Sequence, residues 1–442
     1  MKYTFKKGLD LYDKSLKIIP GGVQLLSKRP EIFLPDQWPS YYKSAKGCEI
    51  ITFDDIKLYD FTNCSVGMCP LGYANPVINK SVIEAINRGN TSTLNSYLEY
   101  ECAKLLIDTH KWSEMVRFTK SGGEAMSVAV RIARAYKKQD KILFCGYHGW
   151  HDWYISANIK NTNKLNKHLL PGVSSLGVPK ALSGLAEPFE FNNVNDFKKK
   201  FYKNYKKLSC VVLEPARAFH CDINFVKTIR KLCTKFNIPL IFDEITLGWH
   251  YTLGGYHKAI NIIPDLAVFS KGTTNGFPLG VIIGKKKIMK VTTDSFISSA
   301  YWTENIGFAA AIATINYMKK NNVSAKLISK GKKIKKIWSD TAGNEYLPIL
   351  ITGIDSLPSF SFKHSKSDEM ITFFTQEMLK EGFLAHGSCY MMIAHSDKII
   401  NKYKIACENV FKKVSDIFYY HNCSFKKYIN GRVKFAKFKN PV

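Results

Sequence analysis

Short apolar runs alternate with longer segments of helical period through the middle of this 442-residue chain. Val116-Arg117-Phe118, Ile142-Leu143-Phe144, Cys210-Val211-Val212-Leu213, Leu240-Ile241-Phe242, Leu266-Ala267-Val268-Phe269 and Gly280-Val281-Ile282-Ile283 read as strands. Near-continuous apolar strands separated by helices predict an α/β fold, a largely parallel sheet covered on both faces. A strong helix is expected over 125–136, and others over 303–319 and 323–338. Near the start, an amphipathic helix over 9–19 leads into a turn at Pro20-Gly21-Gly22. Residues 48–53 and 57–60, joined at Asp54-Asp55, predict a hairpin. The pattern therefore divides into a large central domain, 61–315, and two terminal parts, 1–60 and 316–442, that join into a smaller α+β domain. No internal repeat or low-complexity tract interrupts it.

Composition narrows the class. Hydrophobic residues make up 45% and charged residues 23%, ordinary for a globular enzyme. No apolar run approaches the roughly 18 residues needed to cross a bilayer, so no membrane association is expected. The charged N-terminus is followed by no signal-peptide core. Eleven cysteines are scattered without Cys-x-x-Cys spacing, which argues against a zinc site or a disulfide framework and for a reducing cytoplasm. The formal charge of +28 raises the reading of a non-enzymatic basic protein that binds nucleic acid. Only eight of the 64 basic residues are arginine, the residue suited to bidentate phosphate and guanine contacts. A solvated lysine surface accounts for the charge, and no nucleic-acid partner is expected.

The chemistry lies at the ends of the apolar runs. Asp243 closes the run Leu240-Ile241-Phe242, and Lys271 follows Phe269-Ser270, 28 residues later. A lysine after a strand is by itself more often a solvated surface residue. Paired with a carboxylate it gains a second meaning, because an amine held in a pocket can lose its proton near neutral pH and attack an aldehyde. Pyridoxal 5'-phosphate (PLP) requires that pair: a Schiff-base lysine and an acid for its pyridine nitrogen. Ser121-Gly122-Gly123-Glu124 stands between a strand and a strong helix, where backbone amides and the helix dipole can hold a phosphate. Such a tripeptide alone is more often a tight turn. Tyr147, after the strand 142–144, can stack on a planar ring, and Glu214 ends another strand at the edge where α/β sheets bind ligands. His148 and His151 could be a zinc pair, but no acidic third ligand sits at metal spacing, and no metal is expected.

Taken together, these residues resemble the class III, fold-type-I PLP-dependent aminotransferases, in the branch that contains glutamate-1-semialdehyde aminomutase. Ile19-Pro20-Gly21-Gly22-Val23, Ala45-Lys46-Gly47-Cys48, Ser121-Gly122-Gly123-Glu124-Ala125-Met126, Tyr147-His148-Gly149, Glu214-Pro215, Asp243-Glu244, Pro264-Asp265 and Gly276-Phe277-Pro278-Leu279-Gly280 carry the likeness over nearly the whole chain. The resemblance implies that Lys271 binds PLP and shuttles the proton, and that Asp243 is the pyridine-nitrogen acid. Ile245 and Tyr147 would pack on the two ring faces. The amides at Ser121, Gly122 and Gly123 would hold the phosphate, with Glu214 at the pocket edge. It also implies a homodimer with composite sites.

Departures fall on the substrate side. The family's cross-subunit phosphate threonine corresponds to Ala300, leaving Ser299, Thr303 or a backbone amide to substitute. Counting back from Ala394-His395 puts Gly387 where the aminomutase carries a glutamate. Its N-terminal arginine falls at Lys28, beside Arg29, and the only arginine near the C-terminus is Arg432. Arg29 and Trp302 are the candidate substrate contacts. The reading is an aminotransferase moving an amino group from an amino acid to an aldehyde or ketone, sugar-derived carbonyls included. Glutamate-1-semialdehyde aminomutase is the alternative.

Overall fold

Seven strands build the central sheet: β1 (Met115–Thr119), β2 (Lys141–Cys145), β3 (Ala186–Pro188), β4 (Leu208–Leu213), β5 (Leu240–Asp243), β6 (Leu266–Phe269) and β7 (Gly280–Gly284). The computed structural model describes residues 3–168, 171–216 and 218–435. The strand order is β1-β7-β6-β5-β4-β2-β3. β3, β2, β4, β5 and β6 pair in parallel, whereas β7 runs antiparallel to both β6 and β1. Every residue of β4, β5, β6 and β7 is buried, so these strands read as unbroken apolar runs. The helix Gly122–Lys137 packs on the sheet through Ala125, Met126, Ala129, Ile132 and Ala133, a stripe at helical spacing.

The chain divides into two compact units, residues 76–322 and residues 3–75 with 323–435. The first boundary lies at 75 rather than 60 because the stretch after the hairpin stays tied to it. Tyr73 and Gly47 exchange backbone hydrogen bonds of 2.7 and 2.9 Å, and the Tyr73 hydroxyl donates to Asp60 at 2.5 Å. The second lies at 322 because Asn322, in the left-handed conformation, ends the helix Asn305–Asn321 and Val323–Asn344 starts at once.

In the terminal unit, Tyr42–Lys46, Glu49–Thr52 and Lys57–Phe61 form an antiparallel meander, with Phe383–Ala385 added in parallel to the last. Asp55, at φ 65°, supplies the left-handed residue of the hairpin turn. The N-terminal helix spans Lys6–Ile18, starting three residues before the sequence pattern places it. Among the described residues no helix is long and apolar enough to cross a membrane.

Candidate active site

Five strand ends meet at the carboxyl edge of the sheet, and each delivers a part of the site. After β1, Ser121 caps the helix Gly122–Lys137: its hydroxyl accepts from the Glu124 amide at 3.3 Å. The Glu124 carboxylate accepts in return from the amides of Lys120 (2.8 Å) and Ser121 (3.4 Å), completing a capping box. The amides of Gly122 and Gly123 open the helix, have no carbonyl a turn earlier to bond, and lie at the positive end of its dipole. A side chain would collide at Gly122 and fit only tightly at Gly123. A Cβ on Gly122 would lie 2.9 Å from Ile245 Cδ1, and one on Gly123 would lie 3.3 Å from the His151 ring.

β2 runs into Gly146, at φ 118°, where a Cβ would collide with that of Glu214. The next amide, Tyr147, donates to Glu214 Oε2 at 3.1 Å, so the carboxylate ending β4 holds the turn that carries Tyr147 and His148. His148 is buried against Trp153, their rings 6.0 Å apart and 22° from parallel. Its Nδ1 is 2.8 Å from Asp243 Oδ2, and Asp243 Oδ1 accepts from the Ile245 amide at 3.0 Å. An ionised carboxylate only accepts, which assigns the imidazole proton to Nδ1. Nε2 has no partner among the described residues, so it is better left as a bare lone pair than as a buried N–H.

β6, beside β5, ends one residue before Ser270, and Lys271 follows at φ 48°, a left-handed conformation uncommon for lysine. The turn is held by Ser270 Oγ donating to the Leu279 carbonyl at 2.8 Å and by the Thr273 amide donating to the Ser270 carbonyl at 3.0 Å. The Lys271 amine donates to Thr246 Oγ1 at 2.9 Å. The fold thus gathers Ser121, Gly122, Gly123, Tyr147, Glu214, Asp243, Ile245 and Lys271 on one sheet edge. Sequence reasoning weighed His148 only as a metal ligand and missed Thr246. The Tyr-His-Gly turn was the available signal for the first, but its partner lies 95 residues away.

Four other candidates remain. Ser299, Trp302 and Thr303 line a cleft of about 460 Å³ with Tyr100 and Arg117. Within it the Thr303 hydroxyl donates to the Ala300 carbonyl at 2.9 Å, and the Trp302 indole donates to Glu124 Oε1 at 3.0 Å. Arg29 belongs to the terminal unit, where its guanidinium packs so closely on Gly21 that a Cβ there would collide with it.

His168 gives the site a pH dependence. Its Nδ1 accepts from the Gly146 amide at 3.2 Å, and burial, with a smaller contribution from the neighbouring His148, pushes its pKa down to about 4. Protonation at Nδ1 breaks that bond. Since the folded value lies below the unfolded value of about 6.5, the stability it contributes is present above pH 6.5 and is lost as pH falls toward 4. Between pH 7 and pH 5, urea midpoints should report a loss on the order of 1 kcal/mol after discounting for partial exposure. His168→Gln, which keeps an acceptor for Gly146 without titrating, should be spared that part; equal losses in both proteins would exclude His168 as the cause.

A buried acid, a pocket amine and a glycine-opened helix along the carboxyl edge of such a sheet define the fold-type-I class of PLP enzymes. The family model for class-III aminotransferases matches residues 35–396, and the chain belongs to that family. It is 27% identical over 374 residues to the 3-aminobutyryl-CoA aminotransferase of Cloacimonas acidaminovorans, covering 83% of this chain and 86% of that one. It is 29% identical over 431 residues to the glutamate-1-semialdehyde 2,1-aminomutase of Ignicoccus hospitalis, covering 92% and 100%. Among solved structures, the PLP form of the FumI protein of Sphingopyxis sp. MTA144 superposes with a TM-score of 0.84 at 22% identity, covering 93% of this chain and 97% of that one. The enzyme is a PLP-dependent aminotransferase of class III. Its own residues fit the cofactor: side-chain-free backbone at Gly122 and Gly123 for a phosphate, and a buried carboxylate braced on both oxygens for a ring nitrogen.

Proposed function

We propose that the enzyme transfers an amino group from an amino-acid donor to an aldehyde or ketone acceptor, sugar-derived carbonyls included, in the cytoplasm and with no nucleic-acid partner. The observation that carries the chemistry is the pairing of Lys271 and Asp243 at neighbouring strand ends, the acid braced by His148 and the Ile245 amide. PLP, when bound, supplies an electron sink for the carbon that loses its proton. In this reading Lys271 Nζ would take that proton and return it to the cofactor carbon on the other side of the shared nitrogen. Asp243 would hold a proton on the ring nitrogen, and the His148 N–H keeps its carboxylate aimed. Ile245 and Tyr147 close the two ring faces and exclude water, Glu214 fixes the Tyr147 turn, and the cap of the helix Gly122–Lys137 holds the phosphate.

Transfer is favoured over mutase chemistry by the backbone at Gly387, the position matching the aminomutase glutamate. Its carbonyl accepts from the Phe360 amide at 2.8 Å, and a Cβ there would lie 2.6 Å from the Phe360 carbonyl oxygen. A side chain at 387 would have to push the backbone at Phe360 away. The enzyme is also proposed to be a homodimer in which the partner's residues 298–304 complete the phosphate site through Ser299 or Thr303. Support comes from the exposure of Phe296 (88%) and Tyr301 (78%), two aromatic side chains in and beside that segment that a partner would cover.

The test is to convert the enzyme to its pyridoxamine form and screen carbonyl compounds for return of the cofactor's original absorbance, with light scattering at micromolar concentration alongside. An acceptor that restores the absorbance and leaves as an amine establishes transfer. Turnover of glutamate 1-semialdehyde with no second carbonyl would establish the mutase instead, and an active monomer would remove the composite site.

A further inference from the structure

Thr246 has no place in the sequence motifs, yet its hydroxyl sits 2.9 Å from the Lys271 amine. The loop bearing it is fixed to the lysine's own strand and turn at independent points. The Trp249 indole donates to Thr273 Oγ1 at 2.7 Å, and that hydroxyl donates to the Ser270 carbonyl at 2.7 Å, one residue before Lys271. Gly248 lies so close to Phe269, the last residue of β6, that an added Cβ would be 2.6 Å from its ring. At the far end of the loop the fully buried Glu244 carboxylate accepts from the amides of Tyr256 and His257, each at 2.8 Å, and pairs with His257 Nδ1 at 2.9 Å. Framework contacts therefore set the spacing of the two backbone segments that bring the Thr246 hydroxyl and the Lys271 side chain together. The left-handed backbone of Lys271, at φ 48°, fixes the direction in which that side chain leaves.

We propose that Thr246 is the positioning residue for the Lys271 amine during the half of the cycle in which that amine is not bonded to the cofactor. A hydroxyl suits the task because it serves both protonation states. It accepts from the ammonium once Lys271 has taken a proton from the substrate carbon, and it donates to the neutral amine once that proton has been handed back. A carboxylate in the same place would hold the ammonium too firmly for the second step, and a methyl group would remove this hydrogen bond from the amine. The proposal rests on Lys271 being the reacting lysine.

The experiment uses the enzyme in its pyridoxamine form, where Lys271 is not bonded to the cofactor, and compares the parent with Thr246→Ser and the near-isosteric Thr246→Val. A brief pulse of acetic anhydride at a series of pH values, followed by peptide mapping, reads the titration midpoint of Lys271 itself. Losing a group that stabilises the ammonium should lower that midpoint by about one pH unit in Thr246→Val, the equivalent of a tenfold change in equilibrium. The turnover number should fall about tenfold with KM unchanged, and Thr246→Ser should stay near the parent in both measurements. A Val variant with parental midpoint and turnover would overturn the proposal. So would a Ser variant as impaired as Val, since the methyl group and not the hydroxyl would then be responsible. Borohydride reduction of the PLP form, mapped in parallel, separates the two levels: label on another lysine removes the reading of Lys271, whereas label on Lys271 with an inert Val variant removes Thr246 alone.

Discussion

Lys271→Ala should leave a folded protein that still takes up PLP weakly and turns over at least about ten-thousandfold more slowly, on the order of 5 kcal/mol of barrier. The size follows from the two roles assigned to one amine. As a base it must reach a carbon-bound proton at the end of β6; of the two side chains described there, His148 is committed to Asp243 and Thr246 is neutral. As the group that links to the cofactor it adds a covalent tether to contacts otherwise made by the helix cap and Asp243. Removing the amine should therefore weaken cofactor retention without abolishing it. Borohydride should fix the cofactor to the parent chain at Lys271 and fail to fix it in the variant. Stable fixation to the Ala variant, or to a different lysine in the parent, would contradict the assignment. Lys271→Arg is a useful control, since it keeps the charge while a guanidinium cannot give up its proton near neutral pH.

The parts of the site visible in the sequence are those that announce themselves locally. Asp243 and Lys271 each end a run of fully buried residues, so the switch from apolar to charged marks a strand's end without further information. Ser121 and Glu124 stand at capping-box spacing, and the box is formed. Pairings across the sheet were not readable in this way. Gly280–Gly284 has the composition of a parallel strand and runs antiparallel. Only the ten residues between Phe269 and Gly280 signal this, being fewer than a parallel crossover needs. Ala186–Pro188 is a three-residue edge strand with a charged centre and offers no periodicity to detect. The His148–Asp243 contact joins residues 95 apart and depends on β4 lying between β2 and β5, a topological fact rather than a local one. Ser299, Trp302 and Thr303 are candidates through the family resemblance, and within this chain the Thr303 hydroxyl bonds the Ala300 carbonyl, the Trp302 indole bonds Glu124, and the Ser299 carbonyl accepts from the Trp302 amide.

Asp243→Asn should keep the fold and lose on the order of a thousandfold in turnover, about 4 kcal/mol of barrier. A neutral amide cannot keep the ring nitrogen protonated, so the electron sink that PLP supplies is weakened when the substrate carbon loses its proton. The local hydrogen bonds add a second, separable cost. Asp243 accepts from two donors, the Ile245 amide on Oδ1 and His148 Nδ1 on Oδ2. Asparagine has one carbonyl oxygen, and if that serves Ile245 its NH2 group is turned toward the N–H of His148. Relief requires moving the imidazole proton to Nε2, which is buried without a partner among the described residues. A buried N–H left unsatisfied costs about 1–3 kcal/mol, so the variant should also be less stable by roughly that amount. The two effects can be told apart with a second change: His148→Phe removes the conflicting N–H and is stacked on Trp153 as the imidazole is. In the Asp243→Asn background it should restore part of the stability and none of the turnover. Near-parental turnover in the single variant would remove Asp243 from its role as ring-nitrogen acid. Recovery of turnover in the double variant would instead show that the conflict with His148, and not the missing charge, had caused the loss.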